Sequence, residues 1–281
     1  MFALLLSVAL VFTPEDAHRA HDVASRFVEH CTPREAGTIR GRIASNFILD
    51  EASKAGADVR RDLFYAKTPQ GERQLANLYA EFTTDASKPW VVLTSHYDTK
   101  PGVDCPGAND GASTTAVLIS LINVLFDWKT PKGNVLLVWT DGEECFRQYG
   151  GDDGLWGARR AAKLVQDRGI KVRAVVNLDM LGDEDLKISV PANGTETLAK
   201  IAIHAARRAG YPGLVAQMEE HVTDDHVPFL NVGFSAIDLI DFEYGKGNAY
   251  WHTPEDSMEH VSEKSLLKSG RIVVELLNIL L

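Results

Sequence analysis

Glu143 and Glu144 stand side by side at the end of the apolar run 135–139, just past the polar turn Thr140-Asp141-Gly142. Adjacent carboxylates at a strand end can point in different directions, so one can hold a metal ion while the other moves protons. A lone Glu-Glu pair equally fits a solvated acidic turn, but here the pattern recurs. The run 91–94 delivers His96 and Asp98, the run 172–178 delivers Asp179, and 235–240 is followed after a loop by Trp251 and His252. Asp110 heads an apolar segment, where a carboxylate is favoured by the helix dipole. Two imidazoles (His96, His252) and three carboxylates (Asp110, Glu144, Asp179), with no thiolate, are a donor set that zinc accepts. Glu143, beside a ligand, is then placed as general base and acid. Asp98 and Asp225 are candidates to orient histidines or substrate. Trp251 has polar neighbours (Gly247, Asn248, His252), so it fits an aromatic pocket wall as well as a core. The segment 224–229, which mixes Asp224, Asp225 and His226 with Phe229, suits the rim of a site.

The elements that must position these groups alternate. The four apolar runs are short and rich in Val, Leu and Ile, as expected of strands buried on both faces. Thr13-Pro14-Glu15-Asp16 opens a helix, with a hydroxyl cap, a proline in the first turn and two acids against the dipole. Ala20, Val23, Ala24, Phe27 and Val28 form its inward stripe. A second helix is expected over 38–54 with Ile39, Ile43, Phe47 and Ile48 inward, and strand-like pieces over 58–65 and 74–82. Further helices are expected at 111–126 (apolar all round, hence buried), 154–168, 194–210 and 263–280. This order predicts a single α/β domain with a central, mostly parallel mixed sheet flanked by helices on both faces.

Composition narrows the function classes. At 281 residues, 45% hydrophobic and 24% charged, the chain reads as an ordinary globular domain. A formal charge of −10 with scattered basic residues argues against a nucleic-acid partner, and no phosphate-binding glycine loop is present. Cys31, Cys105 and Cys145 lack metal-binding spacing; one disulfide is possible, and Cys145 reads as a small packing residue. The apolar stretch 2–12 is too short to span a membrane. It reads as a signal-peptide remnant (1–12) preceding a catalytic domain at 13–281, hence a periplasmic or extracellular protein, although a short buried element would also fit.

Seven motifs in order, HYDTK (96–100), GANDGAS (107–113), DGEE (141–144), DDGLWGAR (152–159), NLDMLG (177–182), DDHVPFL (224–230) and WHT (251–253), resemble the zinc peptidases of family M28. Within that family they are similar to the glutaminyl-peptide cyclotransferase branch. The resemblance implies a zinc-exopeptidase-like fold and one zinc on Asp110, Glu144 and His252, with Glu143 shuttling a proton. It further implies an acidic network at Asp179 and Asp225 and a pocket bounded by Trp251, Tyr149 and Phe229. Tyr149 stands where animal cyclases carry a tryptophan. The implied reaction converts an N-terminal Gln of a peptide or protein to pyroglutamate, releasing ammonia. GANDGAS and NLDMLG are also similar to two-zinc aminopeptidases, in which His96 and Asp179 would complete a second metal site bridged by Asp110. A catalytically silent binding domain is the third reading.

Overall fold

The computed structural model describes residues 9–83, 85–128 and 133–281. Eight strands form one sheet: β1 (Val59–Thr68), β2 (Gly71–Phe82), β3 (Trp90–His96), β4 (Asn134–Thr140), β5 (Val172–Asp179), β6 (Ile188–Val190), β7 (Val215–Gln217) and β8 (Ala236–Ile240). Their spatial order is β1-β2-β4-β3-β5-β8-β6-β7. The central strands β4, β3, β5 and β8 run parallel, while the β1–β2 hairpin joins β4 antiparallel. The mixed, mostly parallel centre follows the sequence expectation.

Period-two alternation splits each central strand between two cores. Val91, Leu93, Val135, Leu137, Val176 and Leu239 face a large cluster. That cluster includes α1 (Pro14–Cys31), α3 (Thr114–Phe126), α5 (Glu196–Arg208) and α7 (Glu263–Leu280). Val92, Leu136, Val138 and Val175 face the other side, against α4 (Trp156–Asp167) and the short α6 (His226–Asn231). α3 is buried along nearly its whole circumference, as its composition requires. Thr13 caps α1 in a reciprocal arrangement with Asp16.

One expectation needs correction, the inward face of the second helix. α2 (Ile39–Lys54) buries Ala44, Ile48 and Ala52 but leaves Ile39 69% and Ile43 41% exposed. It covers the antiparallel margin of the sheet, where small residues define a narrow contact stripe. The three cysteines are buried free thiols, so the possible disulfide does not form. The apolar N-terminal block falls mostly on residues 1–8, outside the described residues, but Leu10 and Phe12 belong to the core. The backbone of Leu10 exchanges two hydrogen bonds with the Asn278 side chain on α7 (3.0 and 3.1 Å). Among the described residues, no helix is long and apolar enough to cross a membrane.

Candidate active site

The carboxyl ends of β3, β4, β5 and β8 open on one edge of the sheet, where α/β proteins place their ligands. His96 is the last residue of β3 and Asp179 the last of β5. Asp110 lies between β3 and α3 in a kinked turn with non-helical dihedrals at Asp110 (φ −83°, ψ 91°) and Gly111 (φ 92°, ψ −33°). Gly111 is required there: its φ is left-handed, and a Cβ would meet the His96 ring at 3.1 Å. The turn is clamped from two sides. Asp256 accepts the N–H groups of Asn109 (2.7 Å) and Asp110 (3.3 Å). The fully buried Arg34 donates to the carbonyls of Tyr97 (2.5 Å), Pro106 (2.7 Å) and Gly107 (2.6 Å). The Asp110 carboxylate is thereby aimed at both histidines, Oδ1 lying 2.9 Å from His96 Nε2 and Oδ2 3.3 Å from His252 Nε2.

The Glu143–Glu144 loop is held from beneath. The buried Asp98 carboxylate accepts the N–H groups of Gly142 (2.9 Å), Glu143 (3.1 Å) and Glu144 (3.2 Å). Its Oδ1 also stands 3.7 Å from His96 Nδ1, so one side chain braces two site segments. Glu144 Oε1 lies 2.9 Å from His252 Nε2. Its other oxygen faces the Tyr149 hydroxyl (3.1 Å) and the Lys100 ammonium (3.4 Å). The same Tyr149 hydroxyl is 3.1 Å from Glu143 Oε2, so its single proton serves one carboxylate at a time. His252 adopts a left-handed backbone (φ 56°), uncommon for a non-glycine residue. Its ring stacks on Trp251 at 3.9 Å.

Two groups of potential ligand atoms result, each within 4.8 Å: Asp110, Glu144 and His252, and His96, Asp110 and Asp179. Asp110 belongs to both. Burial alone would lower the His252 pKa, yet hydrogen bonds to Asp110 and Glu144 outweigh it and raise the value to about 9. The carboxylates of Asp110 and Glu144 that raise it make this point attractive to a cation. One imidazole and two carboxylates converging on one point, with a cavity on the remaining side, fit a catalytic zinc.

That cavity measures about 440 Å³. Asp110, Glu143, Glu144, Asp179 and His252 line its base, and Tyr149, Ile240, Phe242 and Trp251 its walls. Two sequence assignments lie elsewhere. Phe229 is fully buried against α4 and the back of the sheet, because α6 turns it away from the cavity. Asp225 is also fully buried and accepts a hydrogen bond from the Thr140 hydroxyl (2.5 Å); Asp224, one residue earlier, reaches the cavity wall. The doublet in the DDHVPFL motif was the available signal, but α6 begins at His226 and only the fold shows which acid faces inward. Phe242, which packs on Trp251 at 5.3 Å between ring centroids, sits just past β8 and was missed for lack of any motif. Lys100, inside the HYDTK motif, has no sequence signal for a role, and its contact with Glu144 is visible only in the fold.

Comparison with known proteins gives the relationships. The model for peptidase family M28 matches residues 77–277. A glutaminyl-peptide cyclotransferase of Drosophila melanogaster is 30% identical over 254 residues, covering 80% of this chain and 71% of that one. An aminopeptidase of Bacillus subtilis is also 30% identical, over 65% of this chain and 39% of its own. The crystal structure of an Acidobacteriales bacterium glutaminyl cyclase superposes with a TM-score of 0.90 at 29% identity, covering 100% of this chain and 98% of that one.

Proposed function

We propose that this chain, which belongs to peptidase family M28, is a zinc-dependent glutaminyl-peptide cyclotransferase. The observation that carries the reading is Glu143: a buried carboxylate beside the Asp110–Glu144–His252 cluster, facing the cavity, in a chain similar to cyclotransferases along most of its length. Asp110, Glu144 and His252 would hold one zinc, which when bound supplies Lewis-acid polarisation of the substrate's side-chain amide carbonyl.

The protein's own groups do the rest. Trp251, Phe242 and Ile240 form an apolar wall that excludes water from the N-terminal Gln side chain. Glu143 takes a proton from the substrate's α-amine as its nitrogen bonds to the side-chain amide carbon. The same carboxyl then returns that proton to the departing nitrogen, so ring closure and ammonia release balance without an external acid. Tyr149 holds Glu143 through Oε2, leaving Oε1 free for this exchange. Asp179 and Asp224 line the same cavity and keep the reacting amine oriented.

A second reading, a two-zinc aminopeptidase, is favoured by the His96–Asp110–Asp179 cluster and the Bacillus subtilis relative. Incubation with a Gln-initiated and a Leu-initiated peptide separates the two. Loss of one NH₃ from the Gln peptide, with the Leu peptide intact, is expected; a freed amino acid overturns the cyclase reading.

A further inference from the structure

The inner half of the cavity is accounted for by the buried chemical groups, and its mouth is built from different material. Met218, Glu220, His221, Val222 and Thr223, in the loop between β7 and α6, form one side of the opening, and Gln148 contributes from the other. The loop is fixed by backbone and side-chain bonds. Met218 N–H donates to Val190 (3.0 Å), and Ala192 N–H donates to the Glu220 carbonyl (2.9 Å). The Asn193 amide both donates to the Val222 carbonyl (2.8 Å) and accepts its N–H (3.1 Å). The wall is therefore preformed, which limits the ordering cost of binding.

Its charge is one-sided. No Lys or Arg is among the residues lining the cavity, and Glu220 is the exposed acid there. Among the described residues the Glu220 carboxylate has no hydrogen-bond or ion-pair partner. A peptide whose first residue reaches the buried base must pass its second residue through this mouth.

We infer that Glu220 selects the residue after the N-terminal Gln, making basic second residues preferred and acidic ones disfavoured. This rests on the proposed cyclisation and adds a substrate class to it. Met218 and Val222 contact the aliphatic stem of a Lys or Arg at that position, and Glu220 takes the charged end, the division such amphipathic side chains prefer.

The test compares kcat/KM for Gln-Arg, Gln-Ala and Gln-Glu peptides, followed by ammonia release at pH 8, above the ordinary histidine range. The wild type should favour Gln-Arg over Gln-Glu by about threefold to thirtyfold, as one attraction gained and one repulsion lost at a partly exposed site provide. Added salt should shrink the ratio. Glu220→Gln should bring the ratio close to one, and Glu220→Lys should reverse it. Glu219→Gln, a neighbouring acid off the cavity, should preserve the preference and so distinguish a local contact from overall charge. An active wild type that turns over all three peptides equally, or a preference that survives Glu220→Gln, overturns the subsite and leaves the cyclase reading standing. Absence of ammonia from every Gln peptide overturns the cyclase reading and this inference with it.

Discussion

Replacing Glu143 by Gln separates proton transfer from everything else the side chain does. The carboxylate is 4% exposed, and its backbone N–H is held by Asp98. An isosteric amide keeps that anchor and still presents an oxygen to the Tyr149 hydroxyl, so the loop should keep its shape. The zinc ligands are Asp110, Glu144 and His252 on this reading, so metal content should also survive. What disappears is the base. General acid–base catalysis is typically worth about 10²–10⁴-fold, or about 2.7–5.4 kcal/mol of barrier. The assay is ammonia release from a Gln-Ala peptide, with kcat and KM determined separately and zinc measured by elemental analysis. The expected result is a kcat reduced at least 10²-fold, a KM changed little, and zinc per chain equal to wild type. Glu144→Gln should do the opposite and lose metal. A Glu143→Gln protein that turns over near-normally with zinc in place, or that has lost its zinc, refutes the assignment.

Elemental analysis of protein purified without chelator should give about one zinc per chain on the cyclase reading, whereas a reproducible value near two would favour the aminopeptidase. Prolonged chelation should abolish activity and lower the midpoint of thermal unfolding, because zinc binds the folded site and not the unfolded chain; added zinc should restore both. Asp98→Asn turns an amide donor toward one of three backbone N–H groups and should cost about 2–4 kcal/mol in urea unfolding. An unfolding midpoint equal to wild type would contradict the bracing role. Between α1 and α2, the Arg26 hydrogen bond holds the Glu51 pKa down at about 2. Its stabilisation is therefore present above the ordinary carboxylate range and lost as pH falls toward 2. Since Arg26 is 36% exposed on its side chain, Glu51→Gln should cost only about 1 kcal/mol at pH 7 and nothing near pH 2. An equal cost at both pH values would refute the ion-pair account.

Sequence reading succeeded wherever a local pattern carried the information. The buried strands declared themselves through unbroken Val/Leu runs, and Thr13 and Pro14 marked the start of α1 through capping chemistry. His96, Asp110, Glu144, Asp179 and His252 were legible because each terminates or follows such an element, and topology alone then brings them to one edge. Direction of side chains was not legible. Asp224 and Asp225 are identical in type and adjacent, and the start of α6 at His226 decides which one reaches the cavity. Phe229 has the composition of a pocket residue, but the helical turn points it into the core behind the sheet. Arg34 gave no signal at all. A fully buried guanidinium is rare, and this one is tolerated because four backbone carbonyls of the β3–α3 connection surround it.

The two chemistries open to this residue set differ in how they answer one electrostatic problem. Asp110 turns one oxygen to each histidine, and behind His96 the acids continue inward. Asp179 touches His96 at 3.2 Å, and buried Asp238 accepts from Asn177 at 3.1 Å, which in turn accepts from Thr94 at 2.8 Å. Burial first, and repulsion from Asp224 second, push Asp179 and Asp238 well above the carboxylate range. Clustered buried carboxylates of this kind cannot all ionise; they share protons or they bind a cation. A second zinc on His96, Asp110 and Asp179 would supply the cation, and hydrolysis would gain a metal-activated water. Shared protons leave His96 as a hydrogen-bonded support and leave the cavity free of a second metal. Cyclisation has no use for a water nucleophile and depends on a proton moving between two nitrogens of the same substrate. The metal count and the reaction class are thus linked: about one zinc per chain fits shared protons and cyclisation, and about two fits hydrolysis, with the peptide products deciding which reaction occurs.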